Sequence, residues 1–150
     1  MNLTRPQRTA RITSALSRYY IKKKFSIHKE FGVGYRGKYR MDVLAMNMRG
    51  HMVCIETKSC KADYTSDSKW REYLPYCNQM YIAIDKDLWE EFGEQIASDV
   101  RPHGVGLIVV GSGLDFKVKA KKREVCADFA LKNFIKMAWR GGESLRTVRR

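Results

Sequence analysis

Apolar residues recur along the chain with two periods, one helical and one strand-like. Ile12, Leu16 and either Tyr19 or Tyr20 are spaced as on one face of a helix, with arginine and lysine residues on the other side. Residues 114–121 alternate strictly between apolar and polar, which is typical of a half-buried strand. Both periods in one chain predict a protein of the α/β class.

The predicted order of elements is α-β-β-β-α-β-α-β-β-α, which gives one mixed β-sheet flanked by helices. Residues 39–47 and 51–59 are apolar on both faces, as in central strands. Pro75 predicts a kink or an end in a helix over 67–77. The other predicted elements are helices over 6–24, 86–97 (capped by Asp85) and 124–139 (burying Ala127, Ala130, Leu131, Phe134 and Ala138), strands over 25–31, 80–84, 104–110 and 114–121, and a loop over 33–38.

The length of 150 residues predicts a single domain. We place it over residues 1–140 and expect a basic tail over 141–150, after a Gly-Gly hinge. No apolar run approaches the roughly 18 residues of a membrane span, and no apolar stretch follows the first charges as in a secretory signal. The four cysteines form no CxxC pair, so we expect reduced thiols, a cytoplasmic location and no membrane association.

Positive charge is concentrated at the two ends of the chain. Lysine and arginine total 29 against 16 aspartate and glutamate residues, a net charge of +13. Residues 1–24 contain seven basic and no acidic residues, and residues 117–150 contain eleven basic and three acidic ones. This distribution predicts a polyanion as partner, and nucleic acid is the usual one. The predicted DNA contacts at the two ends are Arg5, Arg8, Arg11, Lys117, Lys119, Lys121, Lys122 and Arg123, although the lysine stripe is also compatible with a solvated strand edge.

The hairpin over 40–58 contains the candidate chemistry. A three-residue loop, Met48-Arg49-Gly50, with Gly50 in the left-handed conformation, would place Asp42 directly opposite Glu56. Their Cβ atoms would then lie about 4.5–5.5 Å apart, and Lys58 would point to the same side as Glu56. Two facing carboxylates in an apolar setting repel each other, and a divalent cation would reverse that penalty.

Two alternatives remain open at this point. The three side chains could form an ion triad in which Lys58 balances Asp42 and Glu56. A loop of two or four residues would instead put the two carboxylates on opposite faces and remove the site. Glu30, on the preceding strand, is either a further metal ligand or an exposed glutamate paired with a neighbouring lysine.

Asp42 followed by Glu56-Thr57-Lys58 resembles the D…(D/E)-x-K signature of the PD-(D/E)XK nuclease superfamily. The longer pattern is similar to the MmcB-like DNA-repair family over roughly residues 8–110. The proline usually written first in the superfamily motif is absent, since Met41 precedes Asp42. The residues that carry the longer resemblance are Arg40-Met41-Asp42-Val43-Leu44-Ala45, Glu56-Thr57-Lys58-Ser59, Asp63-Tyr64, Asp67-Ser68-Lys69-Trp70 and Tyr73-Leu74-Pro75-Tyr76-Cys77.

The resemblance implies a restriction-endonuclease-like sheet and a metal-dependent deoxyribonuclease. Asp42, Glu56 and the carbonyl of Thr57 would hold Mg²⁺ or Mn²⁺, with Lys58 as a catalytic group. We therefore expect a nuclease that hydrolyses DNA phosphodiester bonds in repair, recombination or the processing of branched or single-stranded DNA. The alternatives are a DNA-binding protein that keeps the scaffold without cleaving, and an interaction protein whose basic ends meet another acidic partner. Small basic nucleases of this class are often dimers, so a homodimer is a further expectation.

Lys69, Tyr73 and Tyr76 are the remaining predicted DNA contacts. If the helix over 67–77 continued past Pro75, they would share one face, while Trp70 and Leu74 would point toward the sheet. A lysine with two tyrosines beside the carboxylates could bind a phosphate and stack a base. Aromatic residues at helical spacing are also typical of a core.

Overall fold

The computed structural model describes residues 3–67 and 69–144. Its helices are α1 (Arg5–Lys22), α2 (Lys61–Ser66), α3 (Lys86–Val100) and α4 (Ala127–Arg140). Its strands are β1 (Ser26–Val33), β2 (Tyr39–Met46), β3 (Met52–Thr57), β4 (Gln79–Asp85), β5 (Gly106–Val110) and β6 (Leu114–Val118). Short 3₁₀ segments occupy Tyr35–Gly37, Lys69–Tyr76 and Arg101–His103.

The six strands form one mixed sheet in the order of the chain, β1 to β6. β3, β4 and β5 are parallel to their neighbours in that group, and the β1–β2, β2–β3 and β5–β6 pairs are antiparallel. Parallel neighbours need a long crossover, which α2, the following 3₁₀ segment and α3 provide. The predicted α/β fold, a mixed sheet flanked by helices, is confirmed.

The sheet separates two apolar layers. On one face, α1 packs Ile12, Leu16 and Tyr20 against the inward side chains of the central strands. On the other face, the core is closed by residues from α2, the 69–76 segment, α3 and α4. α1 begins as its sequence dictates, because Thr4 and Gln7 exchange side-chain to backbone hydrogen bonds of 2.8 and 3.3 Å in a capping box.

The predicted helix over 67–77 is wrong. The chain instead forms the short helix α2 directly after β3 and then a 3₁₀ segment over Lys69–Tyr76 that contains Pro75. The cap of α2 is Cys60, whose Sγ accepts the Asp63 N–H at 3.4 Å. Cysteine is not among the common N-cap residues, so the sequence carried only a weak start signal for a six-residue helix.

The predicted inward face of the last helix is wrong for three of its five residues. α4 buries Asn133 and Met137, whereas Ala127 and Ala138 are exposed and Leu131 is 57% exposed; Ala130 and Phe134 are half-buried. The reason is a polar anchor, because Asn133 Nδ2 donates to the Tyr76 carbonyl at 3.0 Å. An apolar pattern alone cannot identify an inward-facing amide.

The chain after α4 returns to the edge of the sheet. Glu143 and Ile27 exchange two backbone hydrogen bonds of 2.6 and 2.9 Å, and Lys29 forms a 3.1 Å ion pair with Glu143. The beginning of the predicted basic tail is therefore held against β1, and residues 145–150 lie outside the described residues. Within residues 3–67 and 69–144, no helix combines the length and apolar character that crossing a membrane requires.

Candidate active site at the end of the β2–β3 hairpin

The β2–β3 hairpin has the predicted register. Val43 pairs with Ile55 and Met46 with Met52, which places Asp42 opposite Glu56 one step further along. The loop has three residues and ends at Gly50, whose φ is +79°, a conformation that glycine adopts without strain. The geometric condition for the carboxylate pair is thereby met.

The β2–β3 backbone pairing ends at Val43 and Ile55. Beyond that point, the carboxylates of Asp42 and Glu56 accept backbone hydrogen bonds from the opposite strand. The Asp42 N–H donates to Glu56 Oε1 at 2.9 Å, and the Thr57 N–H donates to Asp42 Oδ2 at 2.8 Å. Each acid is thus fixed by the backbone of the opposite strand. One oxygen of each carboxylate is engaged in this way, and no backbone N–H of the described residues reaches the other.

Both carboxyl groups have pKa values above their ordinary range. Burial is the main cause for Glu56, which is only 4% exposed, and repulsion from Asp42 raises its pKa further. Burial also raises the pKa of Asp42, and the bond from the Thr57 N–H and the charge of Lys58 offset only part of that effect. Negative charge at this position is therefore costly without a compensating cation.

Lys58 is the cation inside this group, but it is already paired. It is 4% exposed, and its Nζ lies 2.5 Å from Asp67 Oδ2. Burial would raise the pKa of Asp67, but hydrogen bonds from Lys58 and from the Lys69 N–H outweigh it and lower that pKa. The pair fixes the ammonium group beside Asp42 and Glu56, whose pKa values its charge lowers.

Asp63 and Asp67 complete what we call the acid–lysine cluster, which comprises Asp42, Glu56, Lys58, Asp63 and Asp67. Asp63 Oδ2 accepts the Ser59 N–H at 3.1 Å, and its charge raises the pKa of Asp42. Sequence reasoning did not assign either residue to the site, although both belong to the pattern that carries the family resemblance. The only local signal was their four-residue spacing directly after the strand.

A surface groove of about 570 Å³ borders the cluster on the side of α1. Asp63 and Ser59 line one wall, and Arg5, Thr9 and Thr13 of α1 line another. Lys29 of β1 also contributes. Hydroxyl groups and cations of this kind bind phosphate oxygens. The predicted DNA contact Arg5 thus lines the same groove as Asp63 of the cluster.

The donor set limits which metal the cluster could hold. Within residues 3–67 and 69–144, no group of three or more His, Cys, Asp and Glu side chains is arranged for metal binding. Mg²⁺ in phosphoryl-transfer sites typically uses one or two carboxylates and completes its shell with water and substrate phosphate. Asp42 and Glu56 fit that pattern. The Thr57 carbonyl lies on the same edge of β3 as its N–H, facing Asp42, and the buried Thr57 Oγ1 has no hydrogen-bond partner among the described residues.

Glu30 does not join the cluster. It lies opposite Asp42 in the β1–β2 register, between the pairs Lys29–Val43 and Phe31–Met41, but its side chain is exposed. Its φ of +50° interrupts the alternation of the strand. No described contact joins its carboxylate to Asp42 or Glu56.

The predicted common face of Lys69, Tyr73 and Tyr76 is wrong. A 3₁₀ segment has three residues per turn, so Trp70, Tyr73 and Tyr76 align instead and face inward. Tyr73 is 6% exposed and donates from its hydroxyl to the Arg40 carbonyl at 3.0 Å, which makes it a core residue and not a base-stacking surface. Lys69 is exposed, and Tyr76 is half-buried.

The basic ends are partly engaged within the protein. Arg8 Nη1 lies 2.7 Å from Asp85 and 3.2 Å from Asp87, so its guanidinium is engaged within the protein, and its contact with DNA stays a prediction. Lys117 pairs with Asp115 at 2.8 Å and lies over the Trp89 ring. Arg123 donates to the His103 carbonyl at 3.3 Å. Lys117 is exposed despite its ion pair, and the other exposed predicted contacts at the two ends are Arg5, Arg11, Lys119, Lys121 and Lys122.

The sequence has a family assignment. A family model described as "DNA repair protein MmcB-like" matches residues 1–135. The chain belongs to the MmcB-like family. Membership of a DNA repair family implies a role in DNA repair and an interaction with DNA. No curated protein matches the chain.

Two solved structures share the fold of this MmcB-like protein. The SPO1766 protein of unknown function from Silicibacter pomeroyi is 25% identical, with a TM-score of 0.69 over 99% of this chain and 94% of that one. The FdxN element excision controlling factor protein from Anabaena variabilis is 15% identical, with a TM-score of 0.50 over 71% of this chain and 95% of that one. The second likeness concerns the fold alone.

Proposed function

We propose that this MmcB-like protein is a divalent-metal-dependent DNA nuclease of the PD-(D/E)XK type. One observation carries the proposal: Asp42 and Glu56 face each other where strands β2 and β3 separate, beside the buried ammonium group of Lys58. Each carboxylate accepts a hydrogen bond from the backbone of the opposite strand. The assignment to a DNA repair family and the basic ends of the chain support DNA as the substrate. The sheet would then be of the restriction-endonuclease-like kind.

Each residue has a role that its position supports. Asp42 and Glu56, with the Thr57 carbonyl, would hold Mg²⁺ or Mn²⁺. Such an ion, when bound, polarises a phosphoryl group and acidifies water. Lys58, held by Asp67, is placed to stabilise negative charge that develops on the phosphate. Asp67 acts through Lys58 and is therefore a positioning residue.

A nuclease assay tests the proposal. The pure protein is incubated with single-stranded, duplex and four-way-junction DNA in Mg²⁺, Mn²⁺ or EDTA. We expect cleavage only with a divalent ion, and a loss of about 100-fold or more in Asp42→Asn, Glu56→Gln and Lys58→Met. Glu90→Gln and Glu94→Gln, at exposed positions on α3, are the matched controls. Cleavage by Asp42→Asn at the wild-type rate would refute the assignment.

A second candidate function is DNA binding without cleavage. The observation that favours it is the internal compensation of the cluster, since Lys58 is paired with Asp67 and the other three acids each accept a backbone hydrogen bond. In that case the three variants would bind DNA as the wild type does, and no preparation would cut DNA with any ion. Fluorescence anisotropy in EDTA measures the binding separately from cleavage.

A further inference from the structure

A second cavity lies between α4 and the loop that joins β1 to β2. It has a volume of about 490 Å³, within the range of small-molecule sites. We call it the Tyr35 cleft. Its aromatic walls are Tyr35, Tyr76 and Phe129, its cations are Arg36, Lys132 and Lys136, and none of its lining residues is acidic.

The aromatic rings of the Tyr35 cleft offer faces for stacking. Tyr76 and Phe129 are half-buried, with ring centroids 4.6 Å apart and planes inclined by 33°. Tyr35 is 79% exposed, so the face of its ring is open to a ligand. The Arg36 guanidinium lies 5.2 Å from the Tyr35 ring centroid and forms a cation–π contact with it.

The cations of the Tyr35 cleft differ from Lys58 because they are not balanced by buried acids. Lys132 pairs with Asp128 at 3.2 Å, but both side chains are 71% exposed, and such pairs contribute little. Lys136 uses one of its three donors on the Gly32 carbonyl at 2.6 Å. The cleft therefore presents unneutralised positive charge beside aromatic rings.

One buried polar group lines the Tyr35 cleft. Asn133 is 4% exposed, and its Nδ2 donates to the Tyr76 carbonyl. The same Nδ2 also lies 3.5 Å from Met52 Sδ, so contacts with the body of the protein fix the position of this amide in the lining of the cleft.

The loop above the cleft depends on glycine. Gly34 has a φ of +80°, and a Cβ there would lie 3.1 Å from the Tyr39 ring and 3.2 Å from the Tyr76 hydroxyl. Arg36 and Gly37 also have positive φ values. A strained, closely packed loop of this kind fixes Tyr35 and Arg36 at the rim, and such strain is concentrated at binding sites.

A row of rings connects the Tyr35 cleft with the acid–lysine cluster. Tyr76 lies 6.4 Å from Tyr39, and Tyr39 lies 6.2 Å from Tyr73, between ring centroids. The Tyr73 hydroxyl in turn donates to the carbonyl of Arg40 at 3.0 Å, and Arg40 precedes Asp42 of the cluster by two residues on β2. A nucleic acid strand that enters the cluster could therefore place a neighbouring nucleotide in the cleft.

We propose that the Tyr35 cleft binds one unpaired nucleotide of a DNA substrate. Its base stacks on Tyr35, Tyr76 and Phe129, while Arg36 and Lys132 contact its phosphates. Stacking on a side chain requires a base that is not already stacked in a duplex, so the substrate class is DNA with a single-stranded part. The proposal rests on the proposed function only in taking DNA as the partner.

Binding measurements in EDTA test the cleft without relying on cleavage. Anisotropy titrations compare a short labelled single strand with the matching duplex, using the full-length protein. Tyr35→Ala is expected to weaken single-strand binding by about 5-fold or more and duplex binding much less. For single-strand binding, the slope of the logarithm of the binding constant against the logarithm of the salt concentration is expected to be smaller in magnitude by about 0.7 in Lys132→Met. The controls are Trp139→Ala, an 89% exposed aromatic on the same helix, and Lys86→Met on α3.

Photocrosslinking provides the second readout. A strand with a single iodouracil is irradiated on the protein, and mass spectrometry is expected to find the crosslink at Tyr35, Tyr76 or Phe129. If Tyr35→Ala weakens single-strand and duplex binding equally, or the crosslinks fall elsewhere, the cleft is not such a site, although the nuclease proposal stands. If the wild-type protein binds no form of DNA, both proposals fail.

Discussion

The acid–lysine cluster and the Tyr35 cleft both adjoin the row of tyrosines, yet they differ in how their charges are balanced. In the cluster, two acids with raised pKa values are coupled to the charge of a lysine that is 4% exposed and is paired with Asp67. In the cleft, three cations have no acid among the lining residues. Charges in the cluster are therefore coupled to folding, whereas charges in the cleft remain available to a ligand. The same substitution, lysine to methionine, should act on stability in one region and on binding in the other.

The largest effect on stability is expected for Lys58→Met. Removing one partner from a buried ionic group leaves uncompensated charge, which typically costs about 3–5 kcal/mol. We expect a loss of about 3 kcal/mol in the free energy of unfolding at pH 8, measured by urea denaturation in EDTA. The loss should be smaller at pH 5, because Asp42 and Glu56 then take up protons.

Lys132→Met is the matched control for this variant, since Lys132 is 71% exposed. It should unfold within about 0.5 kcal/mol of the wild type. A Lys58→Met protein as stable as Lys132→Met would mean that the cluster is not electrostatically coupled to the fold, and the contrast between the two regions would disappear.

The cluster could be predicted from the sequence because its geometry is local. A three-residue loop and a left-handed Gly50 fix the register of neighbouring strands, and the register places Asp42 opposite Glu56. Asp63 and Asp67 were not assigned because they follow from α2, a helix started by a cysteine cap. Predictions from local sequence patterns therefore miss residues such as these, whose placement depends on a helix with a weak start signal.

The Tyr35 cleft could not be predicted, because it is assembled from three segments distant in the chain. Tyr76 faces inward only because residues 69–76 form a 3₁₀ segment instead of an α-helix. Phe129 and Lys132 reach the cleft only because Asn133 turns α4 away from its more apolar side. The ion pair of Arg8 could not be predicted for a related reason, since its partner Asp85 is 77 residues away.

A second, smaller effect on stability concerns Glu56→Gln in EDTA. The amide oxygen of glutamine can still accept the Asp42 N–H, but the negative charge is gone. The folded-state pKa of Glu56 is raised, so its contribution to stability is complete below the unfolded pKa near 4.3 and is lost as the pH rises through the folded value. We therefore expect Glu56→Gln to be more stable than the wild type by about 1 kcal/mol at pH 8, with the gain shrinking toward pH 5.

Thermal denaturation of both proteins across this pH range measures the difference. Glu90→Gln, at an exposed position on α3, should leave the curve unchanged at every pH. A Glu56→Gln protein that is less stable than the wild type at pH 8 would identify the cluster as a structural ion network in which the negative charge of Glu56 is stabilising.

The smallest expected effect separates two lysines within the Tyr35 cleft. Lys136 donates to the Gly32 carbonyl at 2.6 Å and lies 5.6 Å from the Phe31 ring centroid, whereas Lys132 has only its exposed partner Asp128. Hydrogen bonds from a charged donor contribute about 1.5–3 kcal/mol, and partial exposure reduces that value. We expect Lys136→Met to lose about 1 kcal/mol in urea denaturation and Lys132→Met about 0.5 kcal/mol or less. If Lys132→Met were the more destabilised of the two, its ammonium would be committed to the fold and could not be the free phosphate contact that the cleft requires.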